Sequence, residues 1–393
     1  MVATNRPIPV DEAYLTATLT ALVQTDSRNP SLTPGSPGEA AIGAVIAAAM
    51  RDLGLTVTVH DLGATRVNVV GIRRGQGQGR SLLWNGHMDT VGVQGMTAPF
   101  TATVRDGKLY GRGSQDMKAS LAAMLAAVKA LNDAGIELAG DLILTAVADE
   151  EYASLGTDDI VRHYRADAAL VLEPTDMALC RAHRGFVWYT VETIGRAAHG
   201  SRYAEGIDAI MHMGRFLAEL EKLGQELLAR PPHALAGPPS LHASLIEGGT
   251  ELSVYPATCR LQLERRTIPG ETVEQATAEL QVILDRLAAA DPTFRAQLTC
   301  FFHRAPFAVD AGAPIVRVLE QAVARRTGAH PPHVGATFWT DAALLAEVGI
   351  DTALIGPVGQ GLHSAEEWVE LASVVDLAAI LVETATEFCG VAT

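Results

Sequence analysis

The 393 residues are 48% hydrophobic and 19% charged, with 45 acidic against 30 basic side chains and a net charge of -15. That length exceeds the size at which a single core stops growing and predicts two domains. The acidic balance excludes nucleic acid and anionic membrane surfaces as partners, since both require a basic face. It leaves room for an anionic small molecule held by one or two local arginines. The four cysteines, Cys180, Cys259, Cys300 and Cys389, have no CxxC or metal-finger spacing and read as reduced core thiols. Around Pro7, Pro9, Asp11 and Glu12 no apolar stretch follows a basic start, as a secretory signal would require. The most apolar early run, Ala40 to Met50, is shorter than the roughly 20 residues of a spanning helix, so a cytoplasmic protein is expected.

Along the chain, helical and strand patterns alternate, the mark of βαβ units and a largely parallel sheet with helices on both faces. Gly38 to Leu53 is an Ala-rich helix closed by Gly54. Short apolar runs at Leu82–Trp84, Leu142–Val147 and Ala169–Leu172 read as buried strands. A helix begins near Asp116 and carries Leu121, Met124, Leu125, Val128 and Leu131 on one apolar face as far as Gly135. From Gly185 the order changes: strand 186–194, helix 206–223, strands 241–247 and 257–266, helix 272–289 and strand 294–302. This is the split βαββαβ unit of a small two-layer domain, with the Pro-rich stretch Arg230 to Pro239 as its loop. A last strand, Ala353 to Gly356, follows the return to alternation. The expected organisation is a discontinuous catalytic domain, 1–184 and 305–393, with a lid and dimerisation domain inserted at 185–304. Its linkers near Arg184 and Arg304–Pro306 suit a hinge that closes over an active site.

Five side chains stand at or just beyond strand ends or at a helix start: His87, Asp116, Glu151, Glu173 and His363. In an open α/β sheet the strand carboxyl ends line the ligand crevice, so these groups can converge. Two imidazoles and three carboxylates suit a pair of zinc ions, with cobalt or manganese as substitutes, and metal-assisted hydrolysis. Gly111-Arg112-Gly113 lacks a phosphate-loop frame and reads as the turn feeding Asp116. His163, His183, His242 and His303 read as structural histidines.

The surrounding motifs are Asn85-Gly86-His87-Met88-Asp89, Gly111-Arg112-Gly113-Ser114-Gln115-Asp116-Met117-Lys118, Asp149-Glu150-Glu151 and Leu172-Glu173-Pro174. With them the chain resembles, over nearly its whole length, the di-zinc amidohydrolase family of acetylornithine deacetylase, succinyl-diaminopimelate desuccinylase, aminoacylase and glutamate carboxypeptidase. The resemblance implies that His87 and Glu173 hold one metal, that Glu151 and His363 hold the other, and that Asp116 bridges them. It makes Asp89 the carboxylate that receives the His87 N–H and Glu150 the general acid and base. It makes His199, in Ala198-His199-Gly200-Ser201, an oxyanion stabiliser reaching across a dimer interface. Arg266 becomes the grip on a substrate carboxylate, with Arg184 a second candidate. Ser253 stands where many members have asparagine near the substrate, Tyr203 where proline is frequent, and Glu264 where aspartate is frequent. Three activities stay open: removal of an N-acyl group from an amino acid, cleavage of a C-terminal peptide bond, and hydrolysis of an N-carbamoyl amino acid. A metal-binding dimer without turnover is the alternative of a different kind, and the intact Glu150 speaks against it.

Overall fold

Strands with apolar residues at every position must be covered on both faces, and the centre of the computed structural model, which describes residues 8–392, is built of such strands. Pro7 lies outside the described residues. All residues of Leu82–His87, Leu142–Val147 and Ala168–Val171 are buried. These strands and Asp351–Leu354 run parallel, in the spatial order Leu142–Val147, Leu82–His87, Ala168–Val171, Asp351–Leu354. Antiparallel strands flank them: Arg66–Arg73 and then Thr56–Gly63 on one side, Leu179–His183 on the other. The expected mixed, largely parallel α/β sheet is thus observed, with its last two core strands one or two residues earlier than expected.

The helix Ala40–Asp52 closes as its sequence predicts, with Gly54 at a φ of 82° that an L side chain rarely adopts. The helix expected to start near Asp116 begins later, at Ala119, and runs to Asp133. Residues Ser114–Lys118 form a wide turn in which Asp116 (φ −116°, ψ 94°) departs from helical geometry. The cause is tertiary: the backbone N–H groups of Gly113, Gln115 and Asp116 all donate to the carboxylate of Glu367. Nor does this helix bury one face only. Alanines on its other sides let Glu12–Gln24 and Leu371–Cys389 approach closely, and 12 of its 15 residues are buried.

Of the described residues, 8–181, 309–334 and 340–392 form one unit and 182–308 with 335–339 a second. The second unit has the expected βαββαβ order, with antiparallel strands arranged Ser240–Gly248, Thr258–Thr267, Gly185–Ile194, Arg295–Arg304. Its first helix, Ala209–Ala229, is capped by Asp208 and runs past the expected end at Leu223. Its second, Val273–Ala290, starts from a Thr272/Gln275 capping box. Val187, Tyr189, Val191, Leu261 and Leu263 pack against Phe216, Leu220 and Leu280 of these helices. Alternation sends the intervening side chains to the opposite face, where Phe186 lies between Arg266 and Arg304, and Trp188 between Glu264 and Phe302. No helix among the described residues is long and apolar enough to cross a membrane.

Candidate metal centre

Parallel strands end at one edge, and that edge gathers the acidic side chains. His87 is the last residue of its strand, Glu173 lies two residues past Ala168–Val171, and Glu150 and Glu151 follow Leu142–Val147. Gly356 is required beside Glu173, because a Cβ there would run into the Glu173 carbonyl oxygen. His363 arrives differently, on the loop of a hairpin whose strands Gly359–Gln360 and Trp368–Glu370 pair with each other. Trp368–Glu370 also pairs with Lys108–Tyr110, the strand leading into the Asp116 turn, so the hairpin sits next to that turn. His363 adopts a left-handed backbone (φ 59°), and its side chain is 54% exposed.

The five expected ligands converge. Asp116 presents Oδ1 to His87 Nε2 at 3.0 Å and Oδ2 to His363 Nε2 at 3.4 Å. His363 Nε2 is also 3.0 Å from Glu151 Oε2, and His87 Nε2 is 4.0 Å from Glu173 Oε2. The ligand atoms of His87, Asp116 and Glu151 lie within 4.8 Å of one another, as do those of His87, Glu150 and Glu173. The partners of these carboxylates are imidazoles rather than lysine or arginine.

Charge crowding shows in the proton affinities. Burial, with the Asp116 charge, raises Glu151 to about 7 despite the His363 bond. Burial raises Glu173 to about 8, with His87 opposing. Burial and the Glu173 charge lift Glu150 well above the usual carboxylate range. Burial disfavours charge on Asp116 too, but its bonds to His363 and His87 overcome that and hold it below the usual range. Bonds to Asp116 and Glu151 carry His363 to about 10. Four buried carboxylates around two imidazoles need added positive charge at neutral pH. The donors fit a pair of divalent cations: nitrogen and oxygen ligands suit zinc, and Glu173 Oε1 is buried with no hydrogen-bond partner.

Asp89 has a different task from the one expected. The His87 Nδ1 contact is to the Asp89 backbone carbonyl at 2.9 Å, with the carboxylate at 3.7 Å. That carboxylate instead accepts the backbone N–H groups of Glu150 and Glu151 at 3.1 and 3.2 Å and the Asn29 amide at 2.8 Å. Asn29 also donates to Asp149, which is ion-paired with buried Arg66. Asp89 therefore holds the loop that carries the two glutamates.

A second buried assembly was not legible in the sequence. Glu367, 1% exposed, accepts from Arg112 Nη1 at 2.6 Å and from the N–H groups of Gly113, Gln115 and Asp116 at 2.9 to 3.0 Å. Arg112 also donates to Gly92 O at 3.0 Å and to Ser364 O at 2.9 Å. One ion pair thus ties the segment after His87, the Asp116 turn and the His363 loop. The only sequence signals were an arginine between two turn glycines and a glutamate four residues past His363.

The remaining expected residues lie in the second unit. His199 is exposed, bonded through Nδ1 to Ser201 Oγ at 2.8 Å. It is bridged to Val254, and Gly200 N donates to Ser253 O at 2.7 Å, so His199 and Ser253 are neighbours. Arg266 bonds Glu264 at 2.5 Å and lies over the Phe186 ring at 5.4 Å. Arg184 donates to Ala236 O, and burial together with the nearby Arg266 charge lowers its pKa. Glu264 also accepts from Trp188 Nε1, and Tyr203 is 82% exposed.

A mixed, largely parallel sheet with this acid and imidazole cluster at its strand ends defines a candidate two-metal centre. The chain belongs to peptidase family M20/M25/M40, whose family model matches residues 83–387. It is 32% identical over 383 residues to acetylornithine deacetylase of Myxococcus xanthus, covering 96% of this chain and 98% of that one. It is 30% identical over 404 residues to N-formyl-4-amino-5-aminomethyl-2-methylpyrimidine deformylase of Halalkalibacterium halodurans, covering 94% of each. A dinuclear-metal-binding peptidase of family M20 from Bacillus subtilis shares the fold, with a TM-score of 0.75 at 14% identity, over 96% of this chain and 98% of that one.

Proposed function

We propose that the protein removes an N-acyl group from an amino acid or cleaves a C-terminal peptide bond, using two zinc ions per chain, replaceable by cobalt or manganese. The observation that carries this reading is Asp116, whose two oxygens face two different imidazoles. In this reading His87 and Glu173 would hold one cation and Glu151 and His363 the other, with Asp116 as the ligand shared between them. When bound, such a pair polarises an amide carbonyl and acidifies water. Glu150 takes the proton of the attacking water on its carboxylate and delivers it to the departing amine, so the C–N bond breaks as an acid and a neutral amine leave. Asp89 keeps that carboxylate in place by fixing the Glu150 and Glu151 N–H groups. Arg266, with Arg184 beside it, takes the substrate carboxylate, and Ser253 lies near the substrate.

His199 serves as oxyanion donor in the site of a second copy, the two chains joining through the inserted unit. Support comes from the outer strand Ser240–Gly248, whose Leu245 and Ile246 are 65% and 57% exposed, and from Met211 at 66% on the adjoining helix. An exposed apolar edge strand is a template for pairing. The protein acts in the cytoplasm on a small molecule.

One observation favours a planar acyl or amine group. Beside Arg266 the rings of Phe186, Trp188 and Phe302 lie 5.1 to 5.9 Å apart on one sheet face, and the relative that acts on a pyrimidine is consistent with such a ligand. The test is a screen of N-acetyl, N-succinyl, N-formyl and N-carbamoyl amino acids, dipeptides and an N-formyl aminomethylpyrimidine with zinc-loaded protein, following amine release. Release from none of them overturns the reading.

A further inference from the structure

Away from the metal centre, on the outermost strand of the large sheet, His60 of Thr56–Gly63 meets two side chains of the helix Leu155–His163. His60 Nδ1 is 2.7 Å from Asp159 Oδ2, and His163 Nδ1 is 3.1 Å from Asp159 Oδ1 and 2.9 Å from the Asp159 backbone carbonyl, a bond that a cation on Nδ1 displaces. The two rings stand edge to face with centroids 5.2 Å apart. One ligand atom from each of the three residues lies within 4.8 Å of the other two. Asp159 and His163 are one helical turn apart, which places both on one face.

The orientation of the donors separates this group from an ordinary surface ion pair. His60 Nε2 is held by the Tyr164 hydroxyl at 2.9 Å, which leaves Nδ1 turned toward Asp159. Asp159 Oδ2 accepts from Asn68 Nδ2 at 3.0 Å. Asn68 is itself fixed, donating to Gly156 O at 2.9 Å and accepting from Ala148 N at 3.1 Å. A ligand imidazole whose other nitrogen is anchored, next to a ligand carboxylate that is itself hydrogen-bonded, is the outer arrangement that metal sites use to fix their donors. The side chains of His60 and Asp159 are 15% exposed and that of His163 55%, so a cation can reach them and water can complete its coordination.

We propose that His60, Asp159 and His163 form a peripheral site for one divalent transition-metal cation, separate from the main centre and sharing no ligand with it. Two imidazoles and one carboxylate select zinc, cobalt, nickel or copper over magnesium and calcium, which prefer all-oxygen shells. Donors at about 2.1 Å from a tetrahedral cation sit roughly 3.4 Å apart. The present separations of 2.7 and 3.1 Å therefore widen by about half an ångström on binding. His163, the last residue of its helix, supplies the widening at Asp159 Oδ1, and the His60 and Asp159 side chains themselves supply that at Oδ2. Each ring binds as neutral imidazole through an unprotonated Nδ1 and carries its proton on Nε2, where His60 donates it to the Tyr164 hydroxyl.

The experiment is equilibrium dialysis of the full chain against micromolar zinc, with and without millimolar magnesium, followed by elemental analysis. The parent protein is compared with His163→Ala, His60→Gln and, as a control, Arg162→Ala. The expected result is one zinc fewer per chain in both histidine variants than in the parent and the control, unchanged by magnesium. Because the readout is a difference, it holds whatever the occupancy of the main centre, and a failure of the proposed hydrolase would show elsewhere. If His60→Gln unfolds, the exposed His163 position decides alone. Equal zinc content in the parent and His163→Ala, or displacement of the extra zinc by magnesium, overturns the proposal.

Discussion

Replacing Glu367 with Gln exchanges one buried carboxylate oxygen for an NH2 group among four donors. Oε2 receives Arg112 Nη1 and Gly113 N, and Oε1 receives Gln115 N and Asp116 N. Whichever way the amide turns, two donors face an NH2, and the Arg112 guanidinium, 2% exposed, loses its counter-charge. Leaving one member of a buried ion pair unmatched costs about 3–5 kcal/mol. The turn that releases this strain most readily is the one holding Asp116, and the Arg112 link to Ser364 O loosens the His363 loop with it. Losing the partners that orient metal ligands weakens metal binding by about 10–100-fold. The expected outcome is therefore a less stable protein whose affinity for the cation proposed at Glu151 and His363 falls by that factor, with turnover falling in step. Zinc titration monitored by elemental analysis measures the affinity, and thermal unfolding of the same samples measures stability. Two zinc ions bound at parental affinity in a protein that is merely less stable would refute the positioning role. Parental values for both would refute the energetic argument as well.

Glu150→Gln is expected to keep both cations and lower turnover by about 10²–10⁴-fold, and unchanged turnover would remove the proton-transfer role. In the chelated protein the folded state keeps protons that the unfolded chain releases: Glu151 titrates near 7 and Glu173 near 8, against 4.5 unfolded, and His363 near 10 against 6.5. The folded state then binds more protons, so stability falls as pH rises from about 4.5 toward 8 and further toward 10. Chemical unfolding at pH 5.5 and pH 8 should show that loss with chelator and a much smaller one with zinc. Leu245→Lys with Ile246→Lys should yield monomers by sedimentation, whereas a persisting dimer would move the interface elsewhere. Mixing the Glu150→Gln and His199→Ala chains should restore part of the activity, and no restoration would place His199 outside its partner's site.

The strands that carry His87, Glu151 and Glu173 were legible because strands buried on both faces require unbroken apolar runs, and their ends mark where polar side chains emerge. The βαββαβ order was legible for a similar reason, since each helix there has a plain apolar stripe. The Asp116 turn was not, because its backbone is set by Glu367, some 250 positions away in sequence. Local pattern started the helix near Asp116, and a distant carboxylate delayed it to Ala119. The use of Asp89 was misread for a related reason: an HxD pattern fixes proximity to His87 but does not say which of the two oxygen-bearing groups of the aspartate the ring will meet. His60, Asp159 and His163 were invisible as a group, since only the packing of an outer strand on a helix brings position 60 beside position 163.

The strand Asp351–Leu354 lies inside the sheet, between Ala168–Val171 and Leu179–His183, although it is made nearly last. As the chain leaves the ribosome, the first half of the large unit can gather its early strands but keeps an open seam where this one belongs. Until residue 354 emerges, Ala168–Val171 has an unsatisfied backbone edge, which invites pairing with another nascent chain. A frameshift or premature stop before that point would thus give an aggregation-prone fragment rather than a soluble half-enzyme. Synthesis of the final tenth of the polypeptide both seals the sheet and delivers the last imidazole, so folding and acquisition of the metal centre finish together.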